Sequence, residues 1–564
     1  MEDIINFKNA ELPDWPEKLN ITEIHREFGS PCWIVSEEQL IKNLRLFTLF
    51  TGSAARVLFP VKTNPSFSVL QVLFRNGAGA DCANQSEVDL ALYAGADIKN
   101  ISYNSPHQDV NLCYHLIIAG ATVVMDDPDA IFELQDRLYD HSFSGKLFLR
   151  INPGKQIDYT IKNDNQELMS HAHTSSKFGI PAEELTAIAS KIKIPVSGLH
   201  IHVGTQMDNL ESFRLAILEL NALVPEVNSF GHHISGINLG GGLGIPFEPE
   251  DLFPSIETWS EVLSPLKVHN LNYFVEPGHA LSGNAVSLLT EVMTIKNSRG
   301  KKWVIVDVGT DQLAKVTLLR WPHRILKANG SVIQKGKDAI AGPLCFAGDT
   351  LLHDADSSEI TKGDPLLITE AGAYTYSLSN RFNGRLAPAW VLFKSNGVCI
   401  KTMDQEDRYD NPQITDYRWN DYPDYETPEK IDLTECDKLS SEYLRKGANQ
   451  DIFTFTDIRR LSYNTFEFEF SANSKVDFIS MPFAIRIFGD AVIIAILRRD
   501  GHAQKETSVW GRKLILSSFE ILPASKPVKF IVSLSEVLNE RSKTVLARFE
   551  TTCGRFNGTV IAKY

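Results

Sequence analysis

Eight short apolar runs punctuate the chain between residues 57 and 278, and their repetition is the strongest constraint on its fold. They are VLFPV (57–61), GAGADC (77–82), ISYN (101–104), TVVMDD (122–127), LFLRIN (147–152), SGLHIHV (197–203), GINLGGG (236–242) and YFVEPG (273–278). Each ends in a polar residue or glycine, and helical patterns such as SEVDLALY (86–93) and EELTAIASK (183–191) lie between them. Eight strands alternating with helices is the count of an α/β protein built as a (β/α)₈ TIM-like barrel. A doubly wound sheet would show fewer strands and a glycine fingerprint after the first, and no such fingerprint is there. Upstream, Ser36-Glu-Glu-Gln39 reads as a capping box opening a helix with Leu40, Ile41, Leu44 and Phe47 on its apolar face.

Beyond about residue 290 the texture changes. LLTEVMTIK (288–296), KKWVIVDVG (301–309), DPLLITEAGAY (364–374) and PAWVLFK (388–394) are β-like and broken by glycine and proline. They predict a second, all-β domain. Residues 402–430 are polar and Asp-rich, as in a linker, and the chain from about 448 is β-rich again, closing with a hairpin pattern. The expected division is a barrel with its N-terminal segment (1–285), a β-domain (286–425), a linker (426–447) and a β-rich extension (448–564).

A net charge of −14 and the lack of any Lys/Arg-rich block argue against a nucleic-acid surface. The seven cysteines (32, 82, 113, 345, 399, 436, 553) are widely spaced with no CxxC pair. That argues against a disulfide framework or structural zinc and fits a reducing compartment better. The N-terminus lacks the apolar core of a secretory signal, and no run of about 18 apolar residues could span a membrane. The expected location is the cytoplasm.

In a (β/α)₈ barrel, chemistry gathers where the strands end. Those ends read Lys62, Asp81, Asn104, Asp126, Arg150, His202, Gly240-Gly241-Gly242 and Glu276. A lone strand-end lysine usually snorkels to solvent. In this company Lys62 has a chemical use, because a lysine amine forms a Schiff base with an aldehyde cofactor. A glycine triplet lets backbone N–H groups approach a phosphate. A glutamate can hold a proton on a pyridine nitrogen, and an imidazole can stack on the ring. Together these describe a site for pyridoxal 5′-phosphate (PLP).

The motifs VKTNP (61–65), GADCANQSEVDLAL (79–92), SKFGI (176–180), GLHIHVGTQ (198–206), NLGGGLGIP (238–246), VEPGHAL (275–281), GPLCFAGD (342–349) and EAGAYTYSLSNRFNG (370–384) follow one another in a familiar order. Over about residues 25–400 the chain resembles the fold type III PLP-dependent decarboxylases of diaminopimelate, ornithine and arginine, leaning towards the diaminopimelate branch. The resemblance implies PLP-dependent decarboxylation of an amino acid. It implies Lys62 as the Schiff-base lysine, His202 stacked on the ring, and His200 as an ordinary packing residue. Gly240, Gly241 and Gly242 would hold the phosphate with Tyr374 and Thr205. Glu276 would pair with the ring nitrogen, with Asp81, Glu87 and Arg150 as a supporting charge network. Cys345 would enter from a second subunit as proton donor, so a head-to-tail homodimer with shared sites is implied.

The chain departs from the family at the substrate end. Phe346 stands where an acid grips the distal amine, His279 replaces the arginine of EPGR, and QLAKVTLLRWPHR (312–324) rewrites a substrate-binding segment. There Leu319 falls where a tyrosine is usual, and Arg320 and Arg324 offer new cations. The expected substrate therefore lacks a free distal amine, or carries a carboxylate or larger group in its place. The last residues resemble the final strands of a hot-dog domain, the fold of acyl-thioester dehydratases and thioesterases. A dimerisation or docking domain reads equally well. A hot-dog would imply recognition of a carrier-bound acyl group and an acyl-carrier protein as partner, or a bifunctional enzyme. A racemase of the same broad fold is disfavoured by Glu276, and a non-catalytic regulator by the retention of Lys62, His202, Glu276, Cys345 and Tyr374.

Overall fold

A computed structural model describes residues 8–139, 141–154, 171–403, 429–430, 453–462, 464–472, 478–479, 481–499, 510–519, 522–523, 527–537, 544–551 and 556–563. The chain divides into two compact units, Met1–Pro412 and Gln413–Tyr564.

Within the first unit, eight parallel strands run in the order of the chain: Leu58–Pro60, Gly79–Cys82, Ile101–Asn104, Thr122–Met125, Lys146–Asn152, Val196–His200, Gly236–Asn238 and Asn272–Phe274. Val57 pairs in parallel with Val275, and Leu58 N–H donates to Val275 O at 2.8 Å, so the last strand meets the first and the barrel nearly closes. Its interior is packed. Phe148 lies against Gly198 and Gly236, where an added Cβ would stand 2.3 and 2.6 Å from the ring. Helices follow the strands, among them Phe67–Arg75, Gln85–Tyr93, Val110–Ala119, Pro128–Leu138 and Glu211–Asn228. Several start on a side-chain cap. Ser66, Asn84 and Asp109 each accept a hydrogen bond from the first turn.

The predicted capping box forms only by half. Ser36 caps the helix Glu37–Thr51 by accepting from Gln39 N–H at 3.2 Å, but the Gln39 amide turns forward to Asn43 at 2.8 Å. The EELTAIASK segment is also shorter than its pattern, with a 3₁₀ turn at Ala182–Glu184 and a helix at Leu185–Ala189.

The second sheet of this unit is built on Val286–Ser298, Lys301–Val306, Asp338–Ala341, Thr350–Ala355, Pro365–Ile368 and Ala389–Phe393. The strand Cys32–Ser36 lies within it, antiparallel to Val286–Ser298 and parallel to Ala389–Phe393, with all five residues buried. The N-terminal segment thus contributes to the β-sheet before the chain enters the barrel.

The second unit has its own core. Phe453–Ser462, Thr465–Ala472, Val528–Val537, Thr544–Thr551, Phe556–Lys563 and Trp510–Phe519 form one antiparallel sheet in that order, with the helix Met481–Arg499 against it. Glu429–Lys430 adds a short strand at the Phe453–Ser462 edge. The rest of the expected linker, residues 426–428 and 431–447, lies outside the described residues, as do 404–425 and 448–452. Among the described residues no helix is long and apolar enough to cross a membrane.

Candidate active site

Lys62 sits in the 3₁₀ turn Val61–Thr63 that ends the first barrel strand. Its Nζ donates to Asp81 Oδ2 at 2.6 Å, and Asp81 is the last residue but one of the next strand. The Asp81 side chain is 1% exposed and that of Lys62 41%, so the amine faces open space while its counter-ion is sealed behind it. Burial works against the Lys62 charge, but Asp81, Tyr374 and Glu276 outweigh it and hold the ammonium above the ordinary lysine range. Burial and Glu276 push Asp81 up, against the pull of Lys62. Two carboxylates share one cation, which is how sites that handle protons are commonly built.

Glu276, two residues past the last barrel strand, is 2% exposed. Asn238 Nδ2 donates to its Oε1 at 2.7 Å, and His200 Nε2 lies 3.2 Å from its Oε2. Burial alone would raise Glu276; His200, Lys62 and Asn238 reverse this and keep it ionised. His200 is therefore not a packing residue. Fully buried at the end of its strand, it orients the glutamate, and its Nδ1 has no partner among the described residues. The expectation failed because a strand pattern shows which face a side chain takes, not what meets it across the barrel. Arg150 and Asn104 extend the network, Arg150 Nη1 donating to Asn104 Oδ1 at 3.2 Å. Glu87 stands at its edge and accepts from Ala83 N–H at 2.7 Å.

His202 follows the same strand into a loop. His171 stacks on it at 4.6 Å and 17°, Phe178 stacks on His171 at 5.0 Å, and the Arg150 guanidinium lies 4.3 Å over Phe178. Burial, with His171 and Arg150 beside it, drives the His202 pKa well below the ordinary histidine range, so its ring is neutral. Sequence reasoning missed His171, which lies outside every motif, and left Phe178 of SKFGI without a role.

The glycine triplet is a contact requirement. A Cβ on Gly241 would stand 2.1 Å from Glu276 O, and one on Gly240 2.6 Å from Ile201 O. Gly240 and Gly242 also have φ of 63° and 124°. Across from it, Gly242 O accepts from Met207 N–H at 2.7 Å, which holds the loop carrying Thr205 alongside. Tyr374, at φ 52°, is tied to the lysine turn by its N–H to Thr63 O at 2.8 Å.

Four expected residues stand elsewhere. Cys345 and Phe346 are exposed on the turn after Asp338–Ala341, where Cys345 N–H donates to Asn383 Oδ1 at 2.9 Å. Arg320 is exposed, at φ 54°. Arg324 is no free cation, because Glu370 at 3.0 Å and Glu17 at 3.1 Å already hold it.

The donor set suits PLP. An amine in open space, an ionised glutamate fixed by two partners, a neutral imidazole and a glycine loop with no room for side chains converge on the strand ends. Residues 37–283 match the family described as pyridoxal-dependent decarboxylase, pyridoxal binding domain. The diaminopimelate decarboxylase of Zymomonas mobilis is 28% identical over 393 residues, covering 67% of this chain and 91% of that protein. That of Methanothermobacter thermautotrophicus is 29% identical over 394 residues, with 67% and 90% covered. The crystal structure of the M. jannaschii diaminopimelate decarboxylase superposes with a TM-score of 0.59 at 26% identity, covering 68% of this chain and 91% of that one. The chain has the fold of the type III PLP-dependent decarboxylases, and its residues 37–283 match their pyridoxal binding domain. It is a PLP-dependent carboxy-lyase of the diaminopimelate decarboxylase type, and these matches leave about a third of the chain uncovered.

Proposed function

We propose that this enzyme decarboxylates an amino acid whose side chain lacks a free distal amine, or carries a carboxylate or a conjugated group in its place. The observation that carries the reading is Phe346, 47% exposed on the turn beside Cys345, where it offers no charge to an ammonium. In this reading Lys62 holds the cofactor aldehyde, Asp81 keeps the amine charged until it is needed, and Glu276 holds a proton at the ring nitrogen. Gly240, Gly241, Gly242, Thr205 and Tyr374 hold the phosphate. His202 covers the ring with His171 behind it, and Arg150 supports the charge network. The bound cofactor supplies an electron sink for the carbanion left when carbon dioxide departs. Cys345 then supplies a proton from the partner subunit of a head-to-tail homodimer. Arg320 is the exposed cation that a substrate's distal end could use.

The second unit supports a hot-dog reading, since one helix lies along a single antiparallel sheet. A carrier-bound substrate is the corresponding finer proposal. The test is carbon dioxide release by the PLP-loaded protein from meso-diaminopimelate, ornithine, lysine and arginine, with Lys62→Ala as control. The expected result is a cofactor absorbance band that Lys62→Ala loses, with little release from all four. Release from diaminopimelate at ordinary enzyme rates would overturn the substrate reading, and absence of the band would overturn the site.

A further inference from the structure

The end of the barrel where its strands begin, opposite to Lys62, holds a cavity of about 290 Å³. Small-molecule sites run from roughly 300 to 1,000 Å³, so it suits a small ligand. Residues at the strand starts line it. Arg56 precedes the first strand, Lys99 and Asn100 precede Ile101–Asn104, and Lys146 and Asn272 open their own strands. Phe148 and Phe274, edge-on at 5.9 Å, give it an apolar wall.

Three cations meet there in a chain that carries 70 acidic and 56 basic residues, and no carboxylate lines the cavity with them. Arg56 is half-buried, and its Nη1 is fixed by donating to Thr51 O at 3.0 Å. Lys146 Nζ stands 6.0 Å from the centre of Phe274. Asp97, the carboxylate nearest to Lys99 in the chain, is occupied in its own turn, accepting from the Lys99 N–H at 3.0 Å. Lys267 adds to the same field, since burial and the charge of Arg56 both lower its pKa. Gathering like charges costs free energy, and an anion between them offsets that cost. Deeper in, Ser102 is 1% exposed, and its Oγ has no hydrogen-bond partner among the described residues. Native structures pair such groups. Asn238 stands between the cavity and the catalytic end. It lines the cavity, donates to Glu276 Oε1 at 2.7 Å and accepts from Gly240 N–H at 2.9 Å.

We propose that this cavity binds a small organic anion with two or more carboxylate or phosphate charges, at a site separate from the cofactor's. Arg56, Lys99 and Lys146 take the charges at the rim, and Ser102 hydrogen-bonds the ligand inside. Occupation reaches Glu276 through Asn238, so the ligand modulates the cofactor end. That link rests on the reading of the Lys62 site; the binding does not. A hydrated barrel end with lysines kept for solubility is the competing explanation, and it gives the three cations no common ligand.

The test is titration calorimetry on the full, PLP-loaded chain, in which the cofactor's phosphate cradle is already filled. The probes are citrate and 3-phosphoglycerate at low ionic strength. The expected result is binding at a single site, with a Kd below about 1 mM for at least one probe and weakening as salt is raised. The tighter probe assigns the ligand to polycarboxylates or to phosphate esters. Lys99→Ala combined with Lys146→Ala should weaken binding about tenfold or more, whereas Arg320→Ala, at the cation offered to substrate, should leave it unchanged. Ser102→Ala should weaken binding without lowering the thermal midpoint, because its hydroxyl has no protein partner to lose. The bound anion should also move the pH at which the cofactor absorbance band titrates, and an unmoved titration would overturn the link through Asn238. No binding of either probe, or binding that Arg320→Ala abolishes and the lysine pair leaves intact, would overturn the site. A protein without a cofactor band that still binds citrate through Lys99 and Lys146 would fall on the Lys62 reading and leave the site standing.

Discussion

Gly241 has no room for a methyl group, because Glu276 O occupies the place a Cβ would take. Gly241→Ala must push the loop away from the glutamate and should cost about 1–3 kcal/mol, as overpacking does. Thermal unfolding and cofactor titration should both register it, and an unchanged protein would count against this packing. Phe346 is tested in the opposite direction. Phe346→Glu restores an acid on an exposed turn and should raise activity on diaminopimelate or a basic amino acid about tenfold, the worth of a charge-assisted hydrogen bond. Assays on those substrates that show no gain would remove Phe346 as the reason for selectivity. At this scale the sequence was informative where a residue type is unusual for its place, as with Lys62 and the glycine triplet. It was silent where two ordinary residues meet. His200 and Glu276 lie 3.2 Å apart only because strands far apart in the chain bring them together.

Elements were easiest to read where each strand announces its own end. All eight barrel strands fall within the apolar runs or a residue beyond them, because burial on both faces makes such strands continuously apolar. Cys32–Ser36 carries the same signal but no clue to its partners, which lie near residues 286 and 389. Its Trp33 is fully buried and stacks on Trp390 at 5.5 Å. Trp33→Ala should therefore cost about 3–5 kcal/mol, in the range of large aromatic deletions from a core. The urea midpoint measures this. A loss below about 1 kcal/mol would show that the strand is a dispensable addition to the sheet.

As a whole molecule, the chain is two units with separate cores. The core of the second runs through Phe466, Phe468, Phe470, Phe488, Phe530 and Phe549, with Phe488 stacked on Phe549 at 4.5 Å. Phe488→Ala should lower one thermal transition and leave carbon dioxide release unchanged; loss of activity in step with that transition would show that catalysis depends on the second unit. The β pattern of this region was legible in sequence, since three of its strands alternate in a tight meander. The helix Met481–Arg499 was not, because a helix apolar on most sides has no polar face to mark its period.

The placement of Cys32–Ser36 has a consequence for how the protein is made. This strand leaves the ribosome early, and both of its neighbours in the sheet are synthesised only after the entire barrel. Throughout translation of the barrel an apolar segment waits with its pairing edges open. The barrel can close before the second sheet exists, whereas that sheet cannot be completed until synthesis has passed Phe393. In a nascent chain with this layout, a pause in translation midway would leave that strand free to pair with the same strand of a neighbouring copy.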